Sequence, residues 1–211
     1  MFAEAIGRLA KMLSPTHTEN DGSVAAECLA RLPDRSAFLS HANAVLETSR
    51  RSSPALLLIG IDEFVSVSET AEKEDCDQLR RRVAIAICQT VSVTTAGRGI
   101  VARPAPGEIA VLVDCMLSDE VQRMAEQICA AAKRSAANVD KVGSGTTVSV
   151  GIAFCLPATT ADDALDVASR ALDRARQEGG DRCRSIAQGG TRHIDLMQDP
   201  RGFMRVPPKA T

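Results

Sequence analysis

Residues 55–61 read Ala-Leu-Leu-Leu-Ile-Gly-Ile, and Asp62-Glu63-Phe64 follow directly. An unbroken apolar run of this length reads as a strand in the middle of a sheet, covered on both faces. Such a strand requires helices on both sides, and helical patterns flank it. Upstream, Asp34 is placed to cap a helix that carries Phe38, Ala42 and Val45 on one face and ends near Arg51. Downstream, Leu79, Val83, Ala86, Ile87 and Thr90 mark a longer helix. Two short apolar segments, Gly99–Arg103 and Glu108–Val113, are separated by Pro104-Ala105-Pro106-Gly107 and predict a hairpin. Ser118 is placed to cap the next helix, with Asp119 and Glu120 in its first turn and Val121, Met124 and Ile128 inward. Thr147–Leu156 alternates: Val148, Val150, Ile152, Phe154 and Leu156 take one face and small residues the other. Thr160 caps a last helix through Leu165, Ala168, Leu172 and Ala175, Gly179-Gly180 stops it, and Arg182–Ile186 is a short final strand. The order α-β-α-β-β-α-β-α-β predicts an α/β domain over residues 23–186, with a central mixed sheet flanked by helices.

Two arms extend from this core. Phe2, Ile6, Leu9 and Leu13 recur at helical spacing in residues 1–14, and a polar linker occupies residues 15–22. This amphipathic helix is expected either to pair with a partner or itself, or to pack back on its own domain. Residues 187–211 contain Gly189-Gly190 and Pro207-Pro208 without a clear period, and read as an extended or partly disordered tail. Twenty-five Lys and Arg against 27 Asp and Glu leave a net charge of −2, which disfavours nucleic acid as a partner. The one basic run, Arg80-Arg81-Arg82, fans around a helix and predicts no single patch. No apolar run approaches the ~20 residues of a membrane span, and the expected location is cytoplasmic. With no Trp, no Tyr and five Phe, ring stacking is excluded as the main means of recognition. The cysteines at 28, 76, 88, 115, 129, 155 and 183 form no CxxC pair, and His17, His41 and His193 lie far apart. They read as small buried thiols in a reducing compartment, a structural or redox-regulatory cysteine cluster being the competing reading.

Six strings, in order, carry a resemblance. Leu32-Pro33-Asp34-Arg35-Ser36-Ala37-Phe38 resembles L-P-N-R-x-x-F, and Leu57 to Phe64 resembles L-x-D-I-D-x-F. Ala102-Arg103-Pro104-Ala105-Pro106-Gly107-Glu108-Ile109-Ala110-Val111-Leu112 lines up on A-R-x-G-G-D-E-F-x-x-L. Val148 to Ala153 resembles V-S-I-G-V-A, Ala168 to Arg176 resembles A-D-x-A-L-Y-x-A-K, and Gly179 to Arg182 resembles G-R-N-R. Together they resemble the GGDEF domain, the diguanylate cyclase family of bacteria. The resemblance implies a nucleotidyl cyclase or palm-like fold and, in active members, Mg²⁺-dependent joining of two GTP molecules into cyclic di-GMP.

It also implies which positions carry that chemistry. The metal-binding carboxylates of the family fall at Gly60 and Gly107, which have no side-chain oxygen. Asp62 and Glu108 are the acids left nearby, Asp62 on the face of Gly60 but displaced by some 6–7 Å along the strand. The glycine tip becomes Ala105 and Pro106, which adds bulk and removes a donor, although two prolines also suit a tight hairpin. The signature phenylalanine becomes Ile109, and the tyrosine of A-L-Y-x-A-K becomes Asp173. Of the guanine-reading pair, Asn becomes Ser68 and Asp is kept as Asp77, though Glu72-Lys73 replaces the preceding G-H. The phosphate-binding Lys becomes Arg176. For Asp77 and Arg176 the competing reading is a solvated helix face. The product-inhibition motif R-x-x-D falls on Ala96 and Gly99, with Arg98 out of register. The expectation is a catalytically inactive GGDEF-like domain, with no catalytic residue, metal or cofactor, serving as a regulatory or protein-interaction module in bacterial signalling. Its partner would be another protein or a second copy. The alternatives are a sensor that binds GTP or a cyclic dinucleotide without turnover, and a divergent diguanylate cyclase using Asp62 and Glu108.

Overall fold

The apolar run Ala55–Ile61 forms the central strand β1, buried along its whole length. A computed structural model describes residues 32–49, 54–62, 72–114, 116–137 and 145–187. In chain order these form α1 (Arg35–Thr48), β1, α2 (Lys73–Thr94), β2 (Ile100–Ala102), β3 (Glu108–Val113), α3 (Ser118–Ala136), β4 (Val148–Phe154), α4 (Ala161–Gln177) and β5 (Cys183–Ala187). The sheet order is β2-β3-β1-β4-β5. β1 runs antiparallel to both neighbours, and β5 joins β4 in parallel after the α4 crossover.

Because side chains alternate along a strand, β1 feeds two cores. Leu57, Ile59 and Ile61 join Leu79 and Val83 of α2 and Met124 and Ile128 of α3 on one face. Leu56 and Leu58 join Phe38 of α1 and Ala164, Ala168 and Leu172 of α4 on the other. The small residues of β4 that the alternation sets apart, Ser149, Gly151 and Ala153, lie under α4 and are buried. They let the helix backbone come close.

The caps follow the sequence closely. Asp34 Oδ1 accepts the Ala37 N–H at 2.9 Å, and Thr160 Oγ1 accepts the Asp163 N–H at 3.1 Å. At α3 the expectation needs correction. Ser118 is already helical, Leu117 is the N-cap, and the Glu120 carboxylate accepts the Leu117 N–H at 2.8 Å. The Glu three residues into the helix thus makes the reciprocal half of a capping box, satisfying the N–H of the N-cap residue itself. β4 also stops two residues early: Leu156 is 48% exposed, so the buried face ends at Phe154. The last strand runs on to Ala187, the first residue of the expected tail. The expected N-terminal helix and linker, and the rest of the tail, lie outside the described residues. Among the described cysteines, 76, 88, 129, 155 and 183 are buried and unbridged. Burial pushes the Cys129 thiol up to about 12 and the Cys155 thiol up to about 11.

The contact between α4 and β4 is tightest at Gly151. A Cβ there would stand 2.0 Å from the Ala168 carbonyl oxygen and 2.4 Å from the Leu172 nitrogen. Both are helix backbone, which cannot swing aside. Gly151→Ala is expected to lose ~3 kcal/mol, the upper range for overpacking, read as a lowered midpoint in chemical denaturation. An unchanged midpoint would mean that α4 is free to retreat from the sheet.

Candidate functional site

The positions singled out by sequence meet at the end of β1 and the tip of the β2–β3 hairpin. Gly60 pairs with Glu108 of β3 on one side and Ser149 of β4 on the other. Directly opposite residues share a face, so this row lies under the C-terminal part of α4. A Cβ on Gly60 would stand 2.1 Å from Arg176 Nη2 and 3.2 Å from Leu172 Cδ2. The room that a side chain at residue 60 would take is therefore held by the Arg176 guanidinium. That head group donates to the Ile61 carbonyl at 3.4 Å, and its Nε lies 3.9 Å from Asp62 Oδ1.

Asp62 is a tie-point. Its Oδ2 accepts from Thr147 Oγ1 at 2.6 Å and from the Asp181 N–H at 3.0 Å. The backbone of Gly180 and Asp181 is left-handed, with φ of 67° and 51°, which folds the chain after α4 back onto this carboxylate. The Asp62 side chain is only 11% exposed, and its Oδ1 has no hydrogen-bond partner among the described residues. Burial raises the Glu108 carboxyl above the ordinary carboxylate range. Arg176 opposes that shift, Asp173 adds to it and Arg35 opposes it.

The hairpin tip is a type II turn. The Glu108 N–H donates to the Ala105 carbonyl at 3.1 Å, Pro106 takes the second position, and Gly107 takes the third with φ of 78°. The tip is tied to β1 through the Ile61 N–H, which donates to the Gly107 carbonyl at 3.3 Å. Its base is tied to the segment before α1 through Arg103 N–H and the Pro33 carbonyl at 2.9 Å. Ile109 points into the core between β1 and α2.

On that second face, a groove of about 670 Å³ opens between the tip and the first half of α2. Leu32, Ile61, Val83 and Ile109 form apolar wall, and Asp77, Arg80, Arg81 and Arg103 supply charge. Arg80 and Arg81 line this groove and Arg82 does not, so the three arginines do not all gather there. Asp77 is ion-paired with Arg80 of its own helix. Asp77 lines this groove, while Arg176, near the end of α4, reaches over Gly60. Ser68 lies outside the described residues. The R-x-x-D positions, Ala96 and Gly99, belong to the close of α2, where Gly97 N–H donates to the Ser92 carbonyl at 2.9 Å.

The family described as "Diguanylate cyclase, GGDEF domain" matches residues 24–182. The chain belongs to the GGDEF-domain family. The fold agrees. The GGDEF domain of DgcB from Caulobacter crescentus, in complex with c-di-GMP, is 21% identical with a TM-score of 0.61, over 74% of this chain and 91% of that one. The active GGEEF domain of a diguanylate cyclase from Vibrio cholerae is 16% identical with a TM-score of 0.62, over 75% and 100%. The Pseudomonas aeruginosa diguanylate cyclase SiaD, in complex with its activator SiaC, is 20% identical with a TM-score of 0.60, over 87% and 71%. No curated protein matches the chain.

The Mg²⁺ that the family's chemistry implies does not fit the residues of this GGDEF domain. Mg²⁺ demands a near-octahedral set of oxygens, usually anchored on one or two carboxylates. A guanidinium holds the space over Gly60, and Gly107 is in the backbone conformation that the turn reserves for glycine. Among the described residues, no three His, Cys, Asp or Glu side chains gather as a metal cluster. No helix among them is long and apolar enough to cross a membrane.

Three features of this end of the domain escaped the sequence reading. The pairing of Asp77 with Arg80 has the i,i+3 spacing of a helical ion pair, and Pro106-Gly107 is a type II turn dipeptide. Both signals were available. The placement of Arg176 over Gly60 had no local signal, because it depends on where α4 crosses the sheet.

A raised Glu108 pKa means that the folded chain binds more protons than the unfolded chain at pH values just above the ordinary glutamate range. Stability contributed through this group therefore falls as pH rises through that window and levels off above the folded value. Glu108→Gln is expected to be more stable than the parent at neutral pH, with the difference closing below pH ~4.3. Denaturation midpoints across pH check this, and a Gln variant that is less stable at pH 7 would refute the assignment.

Proposed function

We propose that this is a catalytically inactive GGDEF domain that works as a regulatory or protein-interaction module in cyclic di-GMP signalling. The observation that carries the reading is the guanidinium of Arg176 over Gly60, where the family's metal-binding carboxylate would stand. Phosphoryl transfer depends almost wholly on positioning and on neutralising developing charge, which the metal supplies. Loss of a carboxylate at Gly60 and another at Gly107, with an intact two-layered core on either side of the sheet, leaves a platform without its reaction centre. One structural relative, SiaD, is described in complex with an activator protein. That supports a protein partner as the class of ligand to seek here, with a second copy of the chain as the alternative.

The groove beside Asp77 favours one further reading, a sensor that binds GTP or a cyclic dinucleotide without turnover. Asp77 borders it, and an exposed pair such as Asp77–Arg80 exchanges partners with little loss. The test is one titration series. The full chain is mixed with GTP and Mg²⁺ or Mn²⁺, followed by chromatography for cyclic di-GMP and by calorimetry for binding. The expected outcome is no cyclic di-GMP, and its appearance at protein-dependent rates would overturn the reading. Heat of binding that persists in chelator and disappears in Asp77→Ala would support the sensor form; no heat at millimolar nucleotide would leave the interaction module.

A further inference from the structure

We infer that Arg176 is a resident cation that takes the place of a divalent metal, closing this end of the sheet to metal ions. Its guanidinium stands over Gly60, is 3.9 Å from Asp62 Oδ1, and exerts its charge on Glu108, the ladder partner of Gly60. A cation set among acids at the end of β1 is what a metal would otherwise provide. The acids need such a partner, because a buried charge without one is expensive. Asp62 is nearly buried and its Oδ1 accepts no hydrogen bond among the described residues. Asp173 adds a further negative influence on Glu108, while Arg35, which also acts on Glu108, is ion-paired with Asp162 at 2.8 Å. Among the described residues, Arg176 is thus a cation that acts on both Asp62 and Glu108.

The side chain is also free to have been placed there. Arg176 lies near the end of α4, and its guanidinium, reaching toward the Ile61 carbonyl and Asp62, occupies the space that a Cβ on Gly60 would take. The assignment deepens the proposal that the domain is inactive, and it rests on that proposal for the meaning of Gly60.

Mn²⁺ is the probe, followed by the EPR signal of the free ion in solutions of the full chain without nucleotide. The parent chain is expected to leave that signal at its buffer level. Arg176→Ala and the neutral, polar Arg176→Gln are expected to bind Mn²⁺ about tenfold more tightly, the scale on which one neighbouring charge moves the binding of another cation, the proton. Arg176→Lys, which keeps the charge, is expected to behave as the parent. Gly60→Asp alone should gain nothing, because Arg176 becomes the partner of the new carboxylate, whereas Gly60→Asp with Arg176→Ala should bind more tightly than either. Thermal melts identify which variants are folded, and the Ala and Gln forms offer two routes should one fail. Equal Mn²⁺ uptake by the parent and a folded neutral variant would overturn the assignment, as would uptake by Gly60→Asp equal to that of the double variant. Mn²⁺ bound by the parent without GTP turnover would overturn only this inference, while turnover by the parent would overturn the proposed function.

Discussion

The close approach of α4 to the sheet governs the rest of the domain. Gly151 lets the Ala168 and Leu172 backbone settle directly on β4, and the depth and direction of that contact fix where the helix ends. One consequence is Arg176, delivered over Gly60. Another is the left-handed Gly179-Gly180-Asp181 turn, which folds back so that the Asp181 N–H reaches Asp62. β5 then adds parallel to β4. The helix also anchors α1: the Ala161 N–H donates to Asn43 Oδ1 at 2.8 Å, and Arg35 pairs with Asp162. A strand face built of Ser149, Gly151 and Ala153 is thus as consequential as the apolar face behind it, because it sets a distance.

The fold was legible because its signals are local and periodic. β1 was readable from a continuous apolar run, β3 from six residues between a proline turn and an aspartate, and α4 from Thr160 at one end and Gly179-Gly180 at the other. The α3 start misled, since Ser118 looks like a cap but is already helical, and Glu120 reaches back to the N–H of the N-cap Leu117. The site was legible only as a set of missing groups. Glycine at residues 60 and 107 announces the loss of two carboxylates, but composition and period say nothing of what fills a gap. Arg176 lies 116 residues from Gly60 along the chain, and their contact exists only once α4 has crossed the sheet. The sequence also grouped Asp77 with Arg176 as nucleotide contacts; Asp77 borders the groove beside α2, and Arg176 reaches over Gly60 from α4.

The hairpin tip shows the same coupling at shorter range. A type II turn places its third residue at positive φ, where a side chain is strained by roughly 1–2 kcal/mol. Pro106 presets the turn and Gly107 completes it, so the dipeptide that stiffens the tip is the one that excludes an acidic residue with ordinary backbone geometry. The proline ring also removes an N–H from the tip, and with it one donor for an anionic ligand. The tip is nevertheless well anchored, at Ile61 on one side and Pro33 on the other. Rigidity has been kept where donors have been lost.

These two ends of the site constrain each other. An acid placed at residue 107 alone would face a strained backbone. An acid restored at residue 60 alone would be consumed by Arg176. Removing Arg176 alone would take from Asp62 and Glu108 a cation that acts on both. Each single substitution at this end of the sheet therefore changes the setting of another member of the group. Arg176 therefore offsets part of the negative charge that Asp62 and Glu108 bring to the end of β1.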